Sequence, residues 1–143
     1  FLFMALITAL TLGIGLMRRS YAVFFFATIA LTFSITHIAK SFFQIARPDN
    51  ALILAQGYRF PSMHSAIGGA VLTSIAWYLY TYTSSKILRL GIILLFGTGI
   101  IFIGWTRVFL GVHEGVDVIV GISLGVTISL LFHGIMHVYR LDQ

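Results

Sequence analysis

The sequence contains no cysteine. That excludes a cysteine nucleophile, a thiolate metal site and any disulfide framework. Charge is scarce too. Only 9% of the 143 residues are Asp, Glu, Lys or Arg, against roughly 25% in an ordinary soluble domain. Acidic residues are the rarest of these: Asp49, Glu114, Asp117 and Asp142. A two-metal hydrolase would need more carboxylates than that around one site. Proline occurs only at positions 48 and 61, so no long apolar run is broken from within. The chain opens on Phe1, inside an apolar run with no basic stretch ahead of it. It does not read as a signal peptide, and a segment is expected to precede Phe1.

Apolar residues are what is plentiful: 59% of the chain. They fall in five runs, at about 1–17, 21–45, 62–83, 87–106 and 112–139. A membrane span needs about 20 mostly apolar residues. Helix is the open-chain structure that satisfies its own backbone in lipid, and the short alternating segments of a transmembrane β-barrel are missing. The reading is an all-α polytopic transmembrane bundle, one membrane-embedded domain over 1–143. The residue before a proline disfavours helix, which sets the end of the second helix near Arg47. Gly111/Gly115 and Gly121/Gly125 have the four-residue spacing of close helix packing.

The formal charge is +5. In a soluble protein that would suggest nucleic acid. Here the cations sit between apolar runs, so topology or an anionic substrate explains them, and no nucleic-acid partner is expected. Five crossings place the breaks alternately on two faces. One face carries Arg18, Arg19, Lys86, Arg89 and Arg140 in short breaks. The other carries Lys40, Arg47, Arg59 and Arg107 together with His113. The first group has no other evident use, so the positive-inside rule makes its face cytoplasmic.

The second face gathers the chemistry. Lys40 and Arg47 are seven residues apart, which places them on one face of a helix, two turns apart. Ser62 is placed to cap the third helix, which puts His64 in a first turn whose free N–H groups favour an anion. Arg107 ends the fourth helix. His113 and Asp117 are four apart, close enough for the carboxylate to hold the imidazole. Cations, two histidines, a carboxylate and a helix N-terminus suit phosphoryl transfer. That reaction needs charge stabilisation, a nucleophile and an acid for the leaving oxygen.

These residues resemble a known family. Lys40 through Arg47-Pro48 fits the K-x6-R-P motif of the type 2 phosphatidic acid phosphatases. Pro61-Ser62-Met63-His64 resembles their P-S-G-H motif. Thr106-Arg107, His113 and Asp117 resemble S-R-x5-H-x3-D. The resemblance runs from about Tyr21 to Tyr139. It implies a lipid phosphatase that uses neither metal nor cofactor, with six spans in the full core, one of them ahead of Phe1. It implies that Lys40, Arg47 and Arg107 bind phosphate oxygens, and that Ser62 and the Met63 backbone N–H donate to phosphate. His113 would attack phosphorus to give a phosphohistidine, Asp117 would orient it, and His64 would protonate the leaving group. The expected substrates are phosphatidate, phosphatidylglycerol phosphate or a polyprenyl pyrophosphate, met on the extracytoplasmic side of a plasma or inner membrane. Thr106 keeps the hydroxyl of the usual Ser. Met63 replaces Gly, which removes conformational freedom and puts a long side chain in a tight turn. The rival reading is a catalytically silent lipid-phosphate binder, or a transport-associated protein that keeps the anion pocket.

The remaining polar residues get plainer readings. His37 is expected to make an interhelical hydrogen bond. His133 and His137 lie at least 20 residues beyond His113, roughly 30 Å along a helix, and are read as interfacial. Trp77, Tyr78, Tyr80 and Tyr82 read as an aromatic belt. Arg59 either guides an anionic head group or pairs with Asp49. Glu114 is assigned no role.

Overall fold

The computed structural model describes residues 19–48 and 51–139. The first apolar run, 1–17, lies outside the described residues, as do Arg18, Asp49, Arg140 and Asp142. Four helices are described: α1 (Arg19–Phe43), α2 (Met63–Thr81), α3 (Lys86–Phe109) and α4 (Gly115–Val138). No strand is present among the described residues. Three of the four, α1, α3 and α4, are long and apolar enough to cross a membrane, with mean hydropathies of 1.9, 2.3 and 2.1.

The third apolar run forms a helix as expected, yet α2 does not reach the composition of a membrane span. The packing explains this. Its buried face is Ser65, Ala66, Gly69, Ala70, Val71 and Ser74, small or polar residues that meet other helices rather than lipid. At 19 residues it is still roughly 28 Å long. Its partner is α4. A Cβ on Gly121 would lie 2.6 Å from the Ser62 carbonyl oxygen, and one on Gly125 would overlap the Ala66 carbonyl. Further along, Ser74 and Ser129 share a buried hydroxyl hydrogen bond of 2.9 Å. The Gly121/Gly125 pair is thus a close-packing device. Gly111/Gly115 is not. Gly111 takes φ +68° in the turn before α4, and a Cβ on Gly115 would meet nothing within 4 Å.

α1 presents a narrow inward stripe: Tyr21, Phe25, Thr28, Thr32 and Thr36. Each threonine hydroxyl donates to the carbonyl four residues back, at 2.7 Å, so these buried hydroxyls need no partner on another helix. Phe26, Phe33, Ile38 and Phe42 face outward. α3 is the most peripheral helix, and Gly104 is its one buried residue. That glycine lets α4 approach, since a Cβ there would lie 2.6 Å from Val118 Cγ1.

Two plain readings change. His37 is exposed and stacks on Phe33 of its own helix, with centroids 5.9 Å apart, rather than bonding across helices. His133 is 1% exposed and stacks on Trp77 at 5.9 Å, with Tyr21 at 6.2 Å. It is a packed residue, not an interfacial one, and Trp77 turns inward to meet it. Tyr78 packs edge-on against Tyr21 at 4.9 Å. Arg89 caps the Tyr80 ring at 4.6 Å, a cation–π contact.

Candidate active site

The helices alternate in direction. The C-terminal ends of α1 and α3 and the N-terminal ends of α2 and α4 therefore lie at one end of the bundle, and the three motifs sit there.

α1 ends earlier than the proline suggests. It stops at Phe43, because Gln44 takes φ +49°, a left-handed conformation that ends a helix. Lys40 is therefore in the last turn of α1, and Arg47 lies in the extended segment after it, not two turns along the same helix. Both still reach the site through the loop. Lys40 Nζ donates to the carbonyls of Tyr58 (2.6 Å) and Arg59 (3.1 Å). Arg47 donates to three carbonyls: Gly57 (3.0 Å), Gln56 (3.2 Å) and Val112 (2.9 Å). These two cations pin the loop 51–59 and the turn before α4. Each keeps donors in reserve, since a guanidinium has five N–H groups and an ammonium three.

Ser62 caps α2, with its Oγ accepting from the Ser65 N–H at 3.4 Å and from the Ser65 hydroxyl at 3.0 Å. It is fully buried. Its backbone N–H donates to the Asp117 carbonyl at 3.0 Å, which joins the start of α2 to the first turn of α4. His64 follows in the first turn of α2 and is exposed. Arg107 is in the last turn of α3, its Nε 3.3 Å from the Thr106 hydroxyl.

One cavity, about 340 Å³, collects these groups. Arg47, His64, Arg107, Val112 and His113 line it, and Ile53, Leu54, Ala55 and Gln56 form its lip. Of the residues singled out from the sequence, Arg47, His64, Arg107 and His113 stand at its wall. Lys40, Ser62, Met63 and Asp117 do not line it. Met63 is half-buried at the start of α2 and does not line the cavity.

His113 precedes α4 rather than lying on it, so its contact with Asp117 spans the helix start. Asp117 is 1% exposed. Its Oδ2 lies 3.4 Å from His113 Nδ1, without the alignment of a hydrogen bond. That oxygen is already occupied. It accepts from the Glu114 N–H at 2.9 Å and from Arg59 Nη1 at 3.0 Å, while Oδ1 lies 3.1 Å from the same nitrogen. Arg59 Nη1 also meets Glu114 Oε2 at 3.0 Å. Arg59 and Glu114 are thus the two residues whose part the sequence did not show. Burial, then the charges of Arg47 and Lys40, push the His113 imidazole down to about 4, against the upward pull of Asp117. The shift favours the neutral ring over the imidazolium.

The chain is 33% identical over 100 residues to phosphatidylglycerophosphatase B of Bacillus subtilis (strain 168), covering 68% of this chain and 49% of that protein. It spans about half the length of that relative. Among solved structures it resembles a transmembrane PAP2-type phosphatidylglycerolphosphate phosphatase from Bacillus subtilis, with TM-score 0.83 and 25% identity over 95% of this chain and 69% of the other. It shares the fold of Aquifex aeolicus LpxE, with TM-score 0.74 and 22% identity over 91% and 77% of the two chains. The family model of the PAP2 superfamily matches residues 21–140, which takes in all three motifs, and the chain belongs to that superfamily.

Proposed function

We propose that this chain hydrolyses a phosphate or pyrophosphate ester of a membrane lipid through a phosphohistidine. The observation that carries the reading is the cavity where Arg47, Arg107, His64 and His113 meet. Two guanidiniums supply charge for the equatorial oxygens of a transferring phosphoryl group. Nδ1 of His113 faces Asp117, which leaves Nε2 for attack. The Nε2–P bond forms as the P–O bond to the lipid breaks, and protonated His64 gives its proton to the leaving oxygen. Water then attacks phosphorus as the Nε2–P bond breaks and its electron pair returns to His113, His64 takes a proton from the water, and inorganic phosphate leaves.

The lip of the cavity supports a lipid rather than a soluble ester. Leu52, Ile53 and Leu54 are consecutive exposed apolar residues beside the charged wall, an arrangement suited to an amphiphile. The similarity to a phosphatidylglycerophosphatase favours phosphatidylglycerol phosphate within that class, beside phosphatidate and polyprenyl pyrophosphate. The test is phosphate release by the full-length protein in detergent, with these lipids set against glycerol phosphate. Release is expected from at least one lipid, well above the soluble ester, and unchanged by EDTA. Among the described residues, the two carboxylates beside the cavity, Glu114 and Asp117, both contact Arg59, and no cluster of three or more His, Asp or Glu residues is placed to hold a cation. Loss of activity with chelator, restored by Mg²⁺ or Zn²⁺, would overturn the metal-free mechanism. Binding of the lipids without release would favour the silent binder.

α2 is proposed as a further crossing, set among protein helices, which together with the run 1–17 makes five. The cavity is proposed to open away from the cytoplasm. Arg19, Lys86 and Arg89 belong to the opposite end, whereas the cations at the cavity end have other work. Lys40 and Arg47 hold the loop, and Arg59 is neutralised by two carboxylates. Ala51→Cys and Ser85→Cys in this cysteine-free chain test it. A membrane-impermeant maleimide on intact cells is expected to label position 51 and spare 85. The reverse pattern would put the cavity on the cytoplasmic leaflet.

A further inference from the structure

We infer that Arg59 is a positioning residue for the proposed nucleophile: it draws the Asp117 carboxylate away from His113 and so keeps the imidazole in its neutral, attacking form. The inference rests on the phosphatase reading for its consequence, but on geometry for its content.

Arg59 is fixed from both sides. Its backbone N–H donates to the Ile45 carbonyl at 2.9 Å, and its own carbonyl accepts from Lys40 Nζ at 3.1 Å. The segment after α1 thus holds the Arg59 main chain while the start of α4 holds its side chain. The Arg59 side chain is 15% exposed and the Asp117 side chain 1%, so water competes little for their contact. A single nitrogen, Nη1, lies within 3.1 Å of both Asp117 oxygens and of Glu114 Oε2. The Glu114 N–H takes a further share of Oδ2. His113 Nδ1 is left 3.4 Å away and unaligned. An aspartate that backs a histidine closely stabilises the imidazolium, and a protonated imidazole has no lone pair for phosphorus. Arg59 limits that support without removing the carboxylate that orients the ring.

The groups facing His113 make the sign clear. Lys40 and Arg47 approach from the end of α1 and the segment after it. His64 comes from α2, Arg107 from α3, and Glu114 and Asp117 from the start of α4. Among the described residues only the last two carry negative charge, and Arg59 touches both. Replacing Arg59 with a neutral residue removes a positive charge and frees Asp117 for Nδ1. Both changes favour the imidazolium, so His113 would protonate at higher pH.

The experiment measures Arg59→Gln and Arg59→Lys against the unaltered protein by two readouts. One is the pH profile of kcat/KM on a lipid phosphate. The other is the titration of ¹³C-labelled histidine side chains, with the His113 signal identified by its loss in His113→Ala. In Arg59→Gln the His113 midpoint and the acid limb of the profile should both move up by about one pH unit. Arg59→Lys, which keeps the charge, should show little of that shift. A purely structural Arg59 would lower the rate equally at every pH and leave the midpoint in place, which would overturn the inference. If no variant or parent hydrolyses any lipid phosphate, the phosphatase reading fails, yet the titration still decides the part of Arg59. Should Arg59→Gln fail to fold, the exposed Glu114 gives a second route. Glu114→Gln leaves Arg59 wholly to Asp117 and should move the His113 midpoint down. An unchanged or raised midpoint there would also count against it.

Discussion

His113→Ala should lower the rate of phosphate release by about 10⁴-fold or more, or about 5.4 kcal/mol of transition-state stabilisation, with the fold intact. The size follows from its proposed part as the atom that bonds to phosphorus. The survival of the fold follows from the geometry. Asp117 is buried, and a buried carboxylate that loses its only partner is costly. Here the loss of His113 leaves Asp117 with Arg59 and the Glu114 N–H. The cavity keeps Arg47 and Arg107, so orthovanadate or phosphate should still bind, more weakly. Near-normal turnover in this variant would remove His113 as nucleophile. His64→Ala separates the two histidines. With a lipid ester the P–O bond breaks slowly without an acid. An aryl phosphate has a leaving oxygen that needs no proton. His64→Ala should therefore form the phosphohistidine from it and then stall, with label on His113. Label on His64 in the unaltered protein would exchange the two assignments.

The site was legible to the extent that its residues are neighbours in sequence. Ser62 and His64 bracket a helix start, as their sequence suggests, and His113 and Asp117, four apart, remain neighbours at 3.4 Å although not aligned as a hydrogen bond. What escaped was long-range. Arg59 reaches Asp117 across 58 positions, and nothing local to Arg59 distinguishes that partner from Asp49. The helix end at Phe43 was hidden for another reason. The terminator is Gln44 in a left-handed conformation, where glycine or asparagine is the usual signal, so the proline four residues later drew the boundary instead. The Lys40–Arg47 relation survived this error because both side chains reach neighbouring carbonyls of one loop, Tyr58 and Arg59 for Lys40 and Gln56 and Gly57 for Arg47, rather than a shared helix face.

Helix existence was legible from apolar runs, but which helix sits inside was not. α2 and α4 both carry small residues, and small residues serve a lipid-facing helix as readily as a packed one. His133 shows the same limit. Its distance of 20 residues from His113 suggests an interface, while its burial against Trp77 and Tyr21 depends on α1, α2 and α4 meeting there. The Gly121/Gly125 spacing was the one packing signal readable in advance, and its four-residue partner pair, Gly111/Gly115, carried the same signal without the function.

That contrast yields a test of what holds the bundle, and hence the cavity, together. The same substitution, glycine to alanine in a helix interior, should have opposite signs at two positions. At Gly97 in α3 a Cβ meets nothing within 4 Å. Alanine there gains helix propensity alone, so Gly97→Ala should stabilise by about 0.5–1 kcal/mol. At Gly125 in α4 the added Cβ would overlap the Ala66 carbonyl and lie 2.8 Å from the Ala70 N–H nitrogen. Both obstacles are helix backbone, which cannot swing aside as a side chain does. The helices must separate, and the loss of that close contact outweighs the propensity gain. Overpacking a well-fitted contact costs about 1–3 kcal/mol, more where the backbone resists, and Gly125→Ala is expected at or above the top of that range. Thermal unfolding in detergent reads both variants. α2 and α4 also carry His64 and set the position of His113, so Gly125→Ala should lose phosphate release even in the fraction that stays folded, while Gly97→Ala keeps it. Equal stability in the two variants would mean that α2 and α4 are not in backbone contact at Gly125. The joint between the second and third motifs, through the Ser62 N–H and the Asp117 carbonyl, would then need another support.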